Sequence, residues 1–347
     1  MSSQTSSYPK EVVDPHHHFI DTINNPFQSF LKSLAGEVSY LPEQYIHDVI
    51  EPLSQIGVTV CGTVHVEAMP DCGASEVSWV EKMMSSAEQS SFVKAYVASC
   101  DLTLDNVEEE LDRVIRAAPS KVRGIRWILD CVGKFQQGNT ATHPATLRHD
   151  GVDYLKSPNF ERGLAHLEKH NLSFDLQCAP IQLVESAATL FAKYPNLKVC
   201  IDHLGKPRRL LGDDLQDDGG INLNTKPDEA ELDMWRKGMK AMAALPNAYV
   251  KLSMMGYAIP GWIRTPERQA LLKSLVLETI EMFGVRRCMV AWNWHVNGAV
   301  SDADGGSEIG PDALELLDKF MWFFEGFGEE DRARLFAGTA KEFYSLK

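Results

Sequence analysis

Three consecutive histidines, His16-His17-His18, end a short run that opens with Val12-Val13-Asp14. Side chains alternate along a strand, so His16 and His18 face the same way. Two imidazoles placed like that can hold a divalent metal such as zinc, or orient a polar substrate. The plainer alternatives are a hydrogen-bonded surface pair or a fragment of an engineered tag, and a run of three inside a strand pattern argues against the tag. His203 stands after Asp202 at the end of another apolar run, 197–201, and a histidine at a second strand end favours a shared site.

Other reactive or polar residues recur at the same relative place. His65 and Glu67 close the run 58–66, Asp101 follows 92–99, and Arg126 lies near the end of 122–129. Asp175 and Gln177 fall in 172–178, Lys251 and Ser253 close 248–252, and Asn293 and His295 follow 287–292. Arg126 and Lys251 could bind a substrate carboxylate or support an oxyanion, or else form structural ion pairs with Asp175, Asp202 or Glu67. His65 and Gln177 are candidate substrate hydrogen-bonders, with buried backbone bridging as the alternative. Trp127, Trp292 and Trp294 could wall a planar ligand, although core packing is the default use of such residues.

The elements that must carry these residues form a regular series. The eight runs, counting 12–18 as the first, are short, apolar and rich in Val, Ile and Leu, as strands buried on both faces are. Between and after them, 77–90, 106–117, 160–170, 181–193, 229–244, 266–283 and 311–324 show helical spacing of apolar residues. This alternation predicts a single (β/α)8 TIM barrel, with a doubly wound sheet as the alternative. No Gly-x-Gly-x-x-Gly follows a strand, which weighs against a dinucleotide fold. In a barrel the strand ends share one mouth, so the polar residues above become one candidate site.

The composition bounds the partners. The 347 residues carry 34 basic and 48 acidic side chains, a net charge of −14, which disfavours nucleic acid; the expected partner is a small-molecule substrate. No apolar run reaches membrane-spanning length. The seven cysteines, scattered and without a C-x-x-C pair, suggest buried free thiols and a cytoplasmic protein. Residues 1–10 read as a disordered tail and 11–347 as one domain, with long loops at 139–158 and 208–233. The second loop holds eight acidic residues against three basic, in a spacing that fits no EF-hand. Met321-Trp322-Phe323-Phe324 would serve a core or a homo-oligomer interface.

Several ordered pieces resemble the amidohydrolase superfamily, in the amidohydrolase-related branch of TIM-barrel metal-dependent hydrolases. They are Asp14-Pro15-His16-His17-His18-Phe19, Val64-His65-Val66-Glu67-Ala68, Gly124-Ile125-Arg126 and Ser173-Phe174-Asp175-Leu176-Gln177. Asp202-His203-Leu204-Gly205-Lys206-Pro207, Phe283-Gly284-Val285-Arg286-Arg287-Cys288-Met289 and Leu335-Phe336-Ala337-Gly338-Thr339-Ala340 follow in the same order. The resemblance implies a (β/α)8 hydrolase, related to lactonases of sugar lactones or pyrone dicarboxylates and more distantly to decarboxylases. It implies that His16, His18 and His203 line the site and are the ligands if one divalent metal, zinc or manganese, is bound. A metal-free mechanism also occurs in this branch.

The family's usual strand-eight Asp is replaced here by Asn293. A carboxamide is a weak, uncharged ligand and no base near neutral pH. His295 follows two residues later, faces the same side if the strand continues, and is the expected general base, with Asn293 positioning water or substrate. The expected reaction is water attack on a lactone carbonyl, with the three histidines polarising it. The alternatives are a metal-dependent non-oxidative decarboxylase and a catalytically silent barrel that binds a small molecule, an option kept open by Asn293.

Overall fold

The computed structural model describes residues 8–85, 92–131, 152–207, 226–259, 261–294 and 311–347. Eight parallel strands pair in chain order: β1 (Glu11–His17), β2 (Thr59–Val66), β3 (Val93–Ser99), β4 (Val122–Ile128), β5 (Ser173–Gln177), β6 (Val199–Ile201), β7 (Ala248–Leu252) and β8 (Cys288–Val290). The first and last approach each other through a bridge between His17 and Trp294, where the His18 N–H donates to the Trp294 carbonyl at 2.8 Å. With the intervening helices this is the expected (β/α)8 barrel.

Two apolar layers show which way each strand residue points. Val122, Ile125, Trp127, Phe174, Leu176, Val199, Ile201, Val250 and Leu252 pack outward into the large core shared with the helices. Val13, Val64, Val66, Ala95, Val97, Cys200 and Met289 fill the barrel interior. Alternation then turns Arg126, Asp175, Gln177, Lys251 and Ser99 inward. Their layers are aligned by register, since Arg126 pairs with Asp175 and Lys251 with Met289.

In β1 the register slips by one residue between Asp14 and His17, across Pro15. A proline donates no ladder hydrogen bond, and the resulting bulge re-aims the strand. His17 goes outward, against Tyr45, Phe19 and the Thr63 hydroxyl. His16 and His18 go inward together.

Several elements go beyond the sequence reading. Residues 42–55 are helical, with a π turn at Ile46–Ile50 directly before Pro52. The spacing of Ile46, Val49, Ile50 and Leu53 is helical, but Pro52 disguises it; the wider turn accommodates the missing N–H. The described part of the supposed tail is anchored, because the Tyr8 hydroxyl donates to Asp318 at 2.6 Å and the Lys10 carbonyl accepts from Thr59. Residues 1–7 lie outside the described residues, as do most of the two expected long loops. The chain's C-terminal turn seals the lower end of the barrel: Lys341 pairs with Glu11, Lys198 caps the carbonyls of Glu342 and Phe343, and Phe343 packs on Tyr249. No helix of the described residues is long and apolar enough to cross a membrane.

Candidate active site

At the C-terminal ends of the strands, His16, His18 and His203 converge. The His16 ring lies 5.0 Å from that of His18 and 4.8 Å from that of His203, centroid to centroid. All three are buried. The His18 Nδ1–H donates to the Val66 carbonyl at 2.8 Å, so in the neutral ring Nε2 carries the lone pair. His203 is held through Nδ1 by the Ser253 hydroxyl at 2.9 Å.

Asp202 and His203 are neighbours in sequence and would diverge on an extended strand. They reach one centre because His203 and Leu204 adopt left-handed backbone, with φ of 54° and 55°. Met254 and Asn293 take the same conformation after β7 and β8, with φ of 49° and 51°. Residues other than glycine adopt it at a cost of about 1 kcal/mol or more each, and such strain gathers at functional sites.

Beneath the histidines runs a buried ionic layer. The Lys251 ammonium lies 3.1 Å from His16 Nδ1, 2.5 Å from Asp175 Oδ2 and 3.0 Å from Asp202 Oδ1. The Arg126 guanidinium donates through Nε to Glu67 Oε1 at 2.6 Å and through Nη2 to the Glu67 carbonyl at 2.8 Å. Its remaining Nη1 faces His16 Nε2 at 3.4 Å and Asp202 at 3.9 Å. Burial, then the charges of Lys251, His18 and Arg126, holds His16 well below the usual imidazole range; burial and His16 do the same for His203. Both rings are therefore neutral near pH 7. Burial lifts the Asp175 carboxyl to about 6, against the pull of Lys251. Burial alone would lower the Lys251 ammonium, but Asp175 and Asp202 outweigh it and raise it above its ordinary value.

Asp14, the acid of the first motif, is taken up structurally. Its carboxylate accepts from the N–H groups of Trp292 and His16 at 3.0 and 3.1 Å and from the Tyr45 hydroxyl at 2.8 Å. It thereby ties β1 to the segment after β8.

Of the residues expected to bind substrate, Gln177 shares the inward side of β5 with Asp175 and is buried. His65 does not face the mouth. It alternates with the interior residues Val64 and Val66, stacks on Phe19 at 5.6 Å and lies 3.9 Å from Glu76 of the helix Gly73–Met84. It belongs to the layer between barrel and helices. The Arg126 guanidinium and the Lys251 ammonium are engaged by internal carboxylates, which is the ion-pair alternative rather than a ready clamp for a substrate anion. Trp127 stacks on Phe160, and Trp292 and Trp294 join the outer core.

Asn293 is buried, and its side-chain oxygen has no hydrogen-bond partner among the described residues. β8 ends at Val290 and Asn293 is left-handed, so strand alternation does not carry through to His295, which lies outside the described residues. Asp175, Asp202, Ser253 and Tyr344 complete the layer. The first three have a signal in strand alternation, whereas Tyr344 has none, since it arrives from the far end of the chain to donate to Asp175 at 2.7 Å.

A nitrogen of His16, a carboxylate oxygen of Asp202 and a nitrogen of His203 lie within 4.8 Å of one another. Two imidazoles and a carboxylate are suitable donors for zinc or manganese. Yet both nitrogens of His16 face fixed cations, Lys251 on Nδ1 and Arg126 on Nε2. As placed, the set does not fit a metal that draws on His16.

Residues 13–346 match the family model described as amidohydrolase. An L-fucono-1,5-lactonase of Burkholderia ambifaria is 25% identical, covering 96% of this chain and 95% of that protein. The L-fucono-1,5-lactonase of Burkholderia multivorans is 22% identical, with 96% of each chain covered. Among solved structures, a Burkholderia multivorans amidohydrolase with bound zinc superposes with a TM-score of 0.68, at 20% identity, over 97% of this chain and 99% of the other.

Proposed function

The chain belongs to the amidohydrolase family and is a hydrolase, and from that premise we propose that it opens the ring of an uncharged sugar-acid lactone by water attack at the barrel mouth. The observation that carries the reading is the convergence of His16, His18 and His203 above the Lys251–Asp175–Asp202 layer. Lactonase relatives at low identity support the reaction class.

Charge argues for the neutral lactone over a dicarboxylate. Among the described residues of this layer, Lys251 and Arg126 are matched by Asp175, Asp202 and Glu67. An anionic substrate would meet no uncompensated cation there, whereas sugar hydroxyls can use Gln177 and the Asn293 oxygen. As the carbonyl carbon becomes tetrahedral, its oxygen gains negative charge, and N–H donors of the oriented imidazoles favour that state over the ground state. The attacking water gives its proton to a neutral imidazole. His18 suits this role because the Val66 carbonyl fixes its tautomer. His295 is the competing base from the sequence.

A panel of aldonolactones and pyrone dicarboxylates, followed by acid release with a pH indicator, tests the reading. We expect turnover of sugar lactones, reduced about 100- to 10,000-fold in His203→Ala and in His18→Asn. Loss in His295→Ala with activity kept in His18→Asn would move the base to His295. No acid release from any lactone, or carbon dioxide release from a carboxylate instead, would overturn lactone hydrolysis.

A further inference from the structure

We propose that the Lys251 ammonium is the resident cation of this site, seated where His16, Asp202 and His203 would otherwise gather a divalent metal. An ammonium has three N–H donors. Here it meets three buried acceptors, His16 Nδ1 at 3.1 Å, Asp175 Oδ2 at 2.5 Å and Asp202 Oδ1 at 3.0 Å. His16 and Asp175 each take a hydrogen bond from it, Asp202 adds an ion pair, and the two carboxylates offset its desolvation.

The same atoms are the ones that a metal would need. His16 Nδ1 has a single lone pair, and Lys251 engages it. The other nitrogen of His16 faces Arg126 Nη1 at 3.4 Å, so turning the ring over exchanges one cation for another. Lys251 cannot swing aside, because it stands on the inward face of β7, fully buried, with the Tyr344 ring 5.6 Å from Nζ. Tyr344 also holds Asp175 from below, which fixes one acceptor of the ammonium. A metal and this lysine are therefore alternatives in one place.

The chemical consequence concerns charge. A fixed monocation already paired with Asp175 and Asp202 supplies no metal-bound water. The water must then be deprotonated by an imidazole, in line with the proposed reaction, although the inference about Lys251 stands independently of which substrate is turned over.

Metal uptake tests this without any assay of activity. The full-length protein is incubated with cobalt(II) or zinc(II), desalted and assayed for metal per chain, with the visible cobalt spectrum as a second readout. We expect the natural protein to retain no metal whose binding depends on His16. Lys251→Met, which keeps the side-chain length and removes the charge, should gain one equivalent of cobalt and a d–d band that His16→Asn abolishes. If Lys251→Met fails to fold, Lys251→Met combined with Asp175→Asn removes the unpaired buried carboxylate and replaces it in the test. Stoichiometric metal in the natural protein that is lost in His16→Asn would overturn the proposal. So would a folded lysine-free variant that gains none. Because the readout is metal content, failure of lactone turnover leaves this result intact.

Discussion

His65 resists protonation until the pH falls to about 3, because burial, then the charge of Arg126, disfavours the imidazolium. In the unfolded chain the same ring takes a proton near 6.5. The folded state therefore loses stability as pH falls from about 6.5 towards 3, by up to about 1.4 kcal/mol per unit from this residue. His17 packs against it and is likewise held neutral by burial, so it adds to the same slope. Glu76 has the opposite sign, since burial and Glu67 raise it well above the carboxylate range and its contribution is lost as pH rises. Tyr96 also faces the ring. His65→Phe keeps an aromatic ring against Phe19 and removes the titration. Urea unfolding between pH 4 and pH 7 should show a shallower decline in this variant, and an unchanged slope would refute the assignment. The strand-end position of His65 was legible in the sequence; its outward direction was not, because a single polar residue between two valines does not say which face is the interior.

The elements place the site through close approaches that leave no room for a side chain. The helix Pro158–Lys169 packs so tightly on the segment after β3 that a methyl at Gly163 would lie 2.3 Å from the Leu102 carbonyl oxygen. Alanine is the better helix former by about 1 kcal/mol, but a rigid backbone oxygen cannot yield, so the overpacking cost of about 1–3 kcal/mol wins. Gly163→Ala should lower the denaturation midpoint, whereas Gly326→Ala, with nothing within 4 Å, should change it little. Equal midpoints for the two would show that the helix shifts freely. Periodicity revealed this helix and its apolar face. It missed residues 42–55, because Pro52 in a helical pattern reads as a break and the π turn that absorbs it has no sequence signature.

Across the whole molecule, a buried polar column links the far end of the chain to the mouth: Tyr344 to Asp175, Asp175 to Lys251, Lys251 to His16. The C-terminal turn is thus a support for the site as well as a lower seal for the barrel. Tyr344→Phe keeps the ring and removes one hydrogen bond to a buried carboxyl, a loss of about 1.5–3 kcal/mol. It should also raise the Asp175 carboxyl above its present value of about 6, since the hydroxyl favours the ionised form. The low-pH limb of activity should therefore move to higher pH, a change that simple destabilisation would not produce. An unmoved pH profile would reduce Tyr344 to a packing residue.

The barrel and the shared direction of His16 and His18 are legible in residue order alone, because strand and helix periods are local and eight strand–helix repeats leave few ways to bury so many apolar runs. That order also marks His203, Lys251 and Asn293 as residues at strand ends. What each one faces is set by the packed barrel. The bulge at Pro15 turned the histidine pair inward, left-handed backbone brought Asp202 and His203 to one centre, and barrel closure set Lys251 among Asp175, Asp202 and His16. Those contacts join residues far apart in the chain, and their geometry depends on register and backbone twist, which residue spacing does not encode.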